Sequence, residues 1–358
     1  MIAQEHGIEK VKTAYGSLFR GLNLAVLPKV PLVSQFIGAI SRPYRTFKVE
    51  NPGEVDLDLA GFLINSPVAE RLLSRRNYDA LVCHSTLSPL LIPKHYARSR
   101  IRKILHVSDI PIHLMMLREQ VSNGPKIVEA VKWFESWVVH KADAVVCVTK
   151  YAARIWREIF AVDPEVIHPG CDPFPHFPYP KEDYLLTVTR WDPSRRPFFF
   201  LDLAERLKPS KTNVVMAGSW PVAGTYERFQ AAISKRGLNK KILIVRRPDE
   251  HMLTQLFQGA RCFVAPPVKG SMLIGALEAG AQGTPIVYPS ESSAWEIFTP
   301  GAHGFEVDVN RFDNYIESVE RFEDDSTVEK MGYSIWKKCH ECSWDDQGAK
   351  LEKVLGNR

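Results

Sequence analysis

Residues 261–289 read RCFVAPPVKGSMLIGALEAGAQGTPIVYP, and their pattern decides the fold. The apolar run at 262–265 has the length of a buried strand. Pro266, Pro267 and Gly270 then force a loop. From about Ser271 the spacing predicts a helix, with Leu273, Ala276 and Leu277 on one face and Glu278 as the only charge in that turn. Gly280 and Gly283 end the helix, and residues 284–288 read as the next strand. A loop that leaves a strand and opens a helix turns free backbone N–H groups toward a positive dipole end, which suits phosphate. Glu278 lies too deep to cap the helix and is placed to accept hydrogen bonds from ribose hydroxyls. A plain strand–helix–strand unit with a solvated Glu has the same spacing.

The same alternation extends in both directions. Upstream, strands are predicted at 78–84, 104–108 and 143–149, with helices at 89–98, 129–140 and 150–160. Trp133 and Trp137 fall one turn apart on a shared helix face. Residues 173–180 hold four prolines, a density that excludes helix and central strand, so this run is the expected interdomain linker. Beyond it, strands are predicted at 184–190, 213–217, 241–246, 262–265 and 285–288, and helices at 197–207 and 226–235. Ser343 is placed to cap a terminal helix. Strands alternating with helices argue for parallel α/β sheets.

The chain of 358 residues is long enough for two cores. Residues 1–180 carry 22 Lys/Arg against 17 Asp/Glu, whereas 181–358 carry 24 of each. The basic half could face an anionic lipid surface or a phosphorylated acceptor, or simply be solvated. Apolar pieces flanked by Arg42, Arg45 and Lys48 within residues 20–60 fit a lipid face, and fit a loop-rich packing segment equally. Six cysteines without framework spacing point to a reducing compartment. Residues 22–40 come nearest to a membrane span, but Pro28, Lys29 and Pro31 break the run. No G-x-G-x-x-G opens a helix, so nicotinamide and flavin enzymes lack their phosphate signature, and neither a Walker pattern nor paired metal carboxylates are present. No nucleic-acid partner is expected.

Residues 189–197, TRWDPSRRP, follow a strand and precede a helix. Arg190 and Arg195 on such a loop can converge on one diphosphate, for which guanidinium forks are well suited. Together with Glu278 and Gly283-Thr284-Pro285, this loop resembles glycosyltransferase family 4, the retaining nucleotide-sugar transferases of GT-B fold. That resemblance implies two Rossmann-like domains facing a cleft, residues 1–176 on the acceptor side and 177–341 on the donor side. Residues 342–358 would form a terminal helix packed back at the junction. It implies donor binding by Arg190, Arg195, Gly218, the backbone amides of Leu273 and Ile274, and Glu278. It places the acceptor near Gly7 and His84, and gives His106, Ser108 and Asp109 the strand end where the family often has a His facing the sugar. Residues 7–11 resemble the turn after the family's first strand, so that strand is short or the true start lies upstream.

One departure bears on mechanism. The family's first motif Glu is Gly270 here, beside Lys269. Lys269 could pair with an anionic donor sugar, or the lost carboxylate could mark reduced catalysis. The implied activity is metal-independent hexosyl transfer, without a cofactor, to a glycan, lipid-linked or other sugar acceptor in the cytoplasm or at the inner membrane face. A catalytically silent GT-B subunit bound to a partner transferase and a GT-B sugar-nucleotide epimerase remain open.

Overall fold

The computed structural model describes residues 2–4, 25–27, 80–84, 101–108, 110–111, 113–114, 125–268 and 274–356. The chain divides into two compact units, residues 1–148, 152–166 and 354–358 in one, 149–151 and 167–353 in the other.

In the first unit β1 (Ile2–Gln4) runs parallel to β2 (Ala25–Leu27). β3 (Ala80–His84), β4 (Arg102–Val107), β5 (Ala144–Cys147) and β6 (Glu165–Val166) form a four-stranded parallel sheet in that order. Among the described residues its crossovers contain α1 (Pro125–Val139) and α2 (Lys150–Phe160). Ala153, Trp156 and Phe160 of α2 recur at helical spacing and pack with Cys83, Leu105, Val145 and Cys147 of the sheet. Residues 89–98, where a helix is expected, lie outside the described residues.

The second unit is a six-stranded parallel sheet. Its strands are β7 (Glu182–Arg190), β8 (Asn213–Ser219), β9 (Ile242–Arg246), β10 (Ala260–Val264), β11 (Ile286–Pro289) and β12 (Gly304–Val307). They lie in the order β9-β8-β7-β10-β11-β12. Neighbouring residues on each strand point to opposite faces, and both faces are apolar. Leu185, Val214, Cys262 and Val287 join one core, and Leu186, Val215, Phe263 and Ile286 the other. The first core is covered by α3 (Pro197–Arg206), α4 (Thr225–Lys235) and, after β12, α7 (Phe312–Arg321). The second is covered by α5 (Glu250–Gly259), α6 (Ile274–Ala281) and α8 (Asp325–Cys339). Each fully buried Leu or Phe contributes about 1.5–3 kcal/mol, so a sheet covered on both faces is self-sufficient. The last helix, α9 (Trp344–Gly356), starts where Ser343 Oγ accepts from Asp346 N at 3.1 Å.

Two sequence features take their meaning from this packing. The division of the chain falls after Val166, and the proline run expected as a linker lies along α6 and α8. Phe174 N donates to Ala281 O at 2.9 Å, and Trp336 Nε1 donates to Phe174 O at 2.8 Å. Gly283-Thr284-Pro285 sits at the amino end of β11. Gly283 has φ +67°, and a Cβ there would lie 2.9 Å from the Phe177 ring. The Thr284 hydroxyl donates to Phe257 O and accepts from Lys181 Nζ. This part of the signature holds the fold together at the strand starts, away from their carboxyl ends.

Candidate nucleotide-sugar site

The strand order places a topological switch point between β7 and β10, because connections leave these neighbours in opposite directions. In open α/β sheets ligands bind at such a point, outside the carboxyl ends of the strands. Arg190 is the last residue of β7. The amino end of α6 reaches the same place. A Cβ on Gly275, in the first turn of α6, would stand 2.9 Å from Phe263 Cζ and 3.6 Å from Val188 O. A Cβ there would press on the Phe263 ring and stand at ordinary contact distance from the Val188 carbonyl, which puts the start of α6 against the ends of β7 and β10. Ile274, the first residue of α6, is 54% exposed. Leu273, Lys269 and Gly270 lie outside the described residues.

The turn after β7 is fixed from within. Trp191 is fully buried, its backbone N–H donates to Ser219 O at 2.7 Å, and its Nε1 donates to Ala217 O at 2.9 Å. The indole stacks on Trp220 with ring centroids 5.7 Å apart. Arg190 donates through Nε and Nη2 to Asp192 Oδ2 at 3.1 and 2.8 Å. The second oxygen of Asp192 accepts from Ser194 N at 2.9 Å and from the Ser194 hydroxyl, capping the short 3-10 turn Pro193–Arg195. Burial alone would raise the Asp192 carboxyl, but hydrogen bonds from Ser194 and Arg190 and the charge of Arg190 outweigh it. Asp192 is held below the usual carboxylate range. The carboxylate therefore orients Arg190 at the strand end. Arg195 follows on the same turn, half-buried, its Nε buried with no hydrogen-bond partner among the described residues.

Gly218 stands beside this turn in the register Thr189↔Gly218. Its φ is +133°, and its carbonyl accepts from Arg247 N at 2.9 Å. Glu278 lies in the second turn of α6 and is exposed as a residue. Crowding of its carboxyl by the surrounding protein pushes the pKa up to about 7. Arg190 and Gly218 thus stand at the carboxyl ends of β7 and β8, Arg195 lies on the turn after β7, and Ile274 and Glu278 lie in the first two turns of α6.

In the first unit His84 and His106 are register partners at the ends of β3 and β4. Their ring centroids lie 4.8 Å apart at 58°. Burial lowers the pKa of both, and the neighbouring His84 lowers His106 further, to about 4. Ser108 is exposed just past β4. Asp109 and Gly7 lie outside the described residues. His113 is buried against Glu135 of α1, Nδ1 to Oε2 2.5 Å, and its backbone N–H donates to the same oxygen at 3.2 Å.

Sequence reasoning missed three of these groups. Asp192 was legible as Asp-Pro-Ser after a strand, the signature of an N-cap. Gly275 and Glu135 carry no local signal, since their roles come from partners 12 and 22 residues away.

A doubly wound sheet with guanidinium groups and a helix amino end at its switch point has the arrangement that suits an anionic phosphate. Residues 38–173 match the profile of Glycosyltransferase Family 4, and residues 172–338 match Glycosyl transferases group 1. The chain belongs to these family 4, group 1 glycosyltransferases, with two parallel-sheet α/β domains of the GT-B kind. It is 26% identical over 160 residues to a D-inositol 3-phosphate glycosyltransferase of Corynebacterium diphtheriae, a match covering 44% of this chain and 37% of that relative. The fold resembles Anabaena HepE, solved with UDP and glucose, at TM-score 0.69 and 13% identity, covering 96% of this chain and 89% of that one. It also resembles a glycosyltransferase from Rickettsia africae at TM-score 0.69 and 13% identity, covering 99% and 96%. Sucrose-phosphate synthase from Thermosynechococcus elongatus aligns at TM-score 0.67 and 15% identity, covering 81% and 76%.

Proposed function

We propose that the protein is a retaining hexosyltransferase that moves a sugar from a nucleotide diphosphate to a glycan, lipid-linked or other sugar acceptor. The observation that carries this reading is the seating of the α6 amino end by Gly275 beside Val188, two residues before Arg190. Cleavage of the bond between the sugar's anomeric carbon and the diphosphate leaves negative charge on phosphate oxygen. Arg190, oriented by Asp192, and Arg195, together with the amides opening α6, stabilise that charge without a metal. Glu278 accepts from the ribose hydroxyls. His84, His106 and Ser108 belong to the acceptor-side unit, at the ends of β3 and β4. The acceptor hydroxyl replaces the diphosphate on the same sugar face, so configuration is retained. Solved relatives bound to UDP and glucose support a sugar nucleotide as the donor.

The test is a thermal-shift screen of UDP-, GDP- and ADP-sugars, since a ligand that binds only native protein raises its melting point. Acceptor trials follow, with the anomer of the product read by NMR and turnover measured with and without chelator. A shift with one donor, a retained anomer and indifference to chelator are expected. An inverted product or loss of activity with chelator overturns the mechanism. Gly270, where the family has an acid, favours one rival, a silent subunit that binds a partner transferase. Donor binding without transfer or hydrolysis supports that reading. An isomerised sugar nucleotide formed without acceptor supports an epimerase.

A further inference from the structure

Strand β12 is an edge of the second unit's sheet and pairs only with β11 among the described residues. Ile286 N donates to His303 O at 3.2 Å and Ser290 N to Val307 O at 2.8 Å. Alternate residues of β12 therefore face β11, and those between turn their backbone groups outward. The Gly304 carbonyl is taken by Gly301 N at 2.8 Å. Glu306 carries its N–H and C=O to the open side. Two cavities flank this edge. One, of about 610 Å³, lies between β12 and α7 and is lined by Phe305, Glu306, Asn314, Glu317, Glu320 and Arg321. The other, of about 540 Å³, shares Phe305, Glu306 and Arg321 and reaches Gly301, Thr327 and Met331. The Phe305 ring common to both packs on Phe322 with centroids 5.0 Å apart, and its centroid lies 4.5 Å from the Arg321 guanidinium carbon.

Glu306, Glu317 and Glu320 are exposed and form no ion pair with a described residue. No three His, Cys, Asp or Glu side chains among the described residues could share one metal ion. The three charges thus suit several cations spaced along a chain rather than one ion. A sheet edge takes an extended chain by adding a strand, with main-chain hydrogen bonds for affinity and side-chain pockets for specificity. Acidic walls select basic side chains, whose aliphatic stems lie on an apolar floor while their charged heads reach the carboxylates. We propose that the β12 edge docks an extended, lysine- or arginine-bearing segment of a partner protein. A second copy of β12 fits less well, because a two-fold contact centred on Glu306 would set the two carboxylates side by side. The proposal does not rest on the nucleotide-sugar reading, and its test uses no nucleotide sugar.

The experiment is fluorescence anisotropy of the full chain with a labelled octapeptide that alternates lysine and valine, and with its glutamate–valine counterpart. Saturable binding of the lysine peptide alone is expected, weakening as salt rises. Glu317→Gln with Glu320→Gln should weaken that binding about tenfold. Glu227→Gln with Glu250→Gln, the same loss of charge at exposed positions of α4 and α5, should change it little. A lysine peptide N-methylated on its central valine amides, which blocks strand addition, should bind more weakly. Absence of binding overturns the proposal, as does equal loss in the two double variants or full affinity of the N-methylated peptide. Self-association that Glu317→Gln with Glu320→Gln strengthens, read by sedimentation velocity, makes a second copy the occupant and also overturns it.

Discussion

The carbonyl oxygen of Thr189 lies 1.8 Å from the point where a Cβ on residue 218 would stand. No side chain fits there, and Gly218 also holds φ at +133°, a conformation that L residues rarely adopt. The close approach of β7 and β8 at this level aims the turn carrying Arg190. Gly218→Ala should cost about 2–4 kcal/mol, combining backbone strain with the clash. It should also weaken donor binding by displacing the turn. Chemical denaturation and donor calorimetry on the variant check both effects.

Arg190→Ala should slow turnover by about 10²–10³, roughly 2.7–4 kcal/mol, as for loss of an electrostatic donor to the leaving group. Asp192→Asn keeps shape and removes the charge that orients Arg190. Its loss should be smaller and lie in kcat more than in KM. Turnover unchanged in Arg190→Ala removes this residue from the mechanism.

Glu278 should link donor affinity to pH. Its carboxyl lies toward about 7 because of burial, so acidification through that value protonates it and removes an acceptor for ribose hydroxyls. Affinity should fall as pH falls, and Glu278→Gln should bind weakly with a flatter profile. Calorimetry across the range reads both, and equal affinity for Glu278→Ala and wild type would count against the ribose contact.

The histidine pair predicts a stability profile. His106 titrates at about 4 in the folded chain against 6.5 when free. Between these values the unfolded chain holds the extra proton, so stability falls as pH drops from 6.5 toward 4. His106→Asn should remove this part of the slope. Thermal unfolding of both proteins across that window measures the difference.

Lys269 makes donor choice testable. If it pairs with an anionic sugar, nucleotide sugars with an acidic hexose should turn over faster than neutral ones, and Lys269→Ala should abolish the preference. Equal use of both refutes the pairing.

Much of the second unit was legible because its strands are short, continuous apolar runs separated by turns. The strands expected at 241–246 and 285–288 are found at 242–246 and 286–289. The edge strand Gly304–Val307 was not legible, since a four-residue strand with a charged Glu306 resembles a loop. Arg190 and Glu278 stood out by residue type at a strand end and on a helix. The seat of α6 did not, because it depends on Val188 and Phe263, which meet Gly275 only after folding. Proline density at 173–180 correctly excluded regular structure. It did not reveal that Phe174 and Phe177 bind this run to the second unit, for which the interleaved aromatics were the available sign.

Trp191 gives the turn that follows it a particular thermodynamic character. An indole locked under β8 restrains the Arg190 turn in the free protein, so the freedom of that loop is surrendered during folding, before a ligand arrives. Association at this turn should then proceed with little reorganisation, leaving donor selectivity to the shape and charge of the ligand.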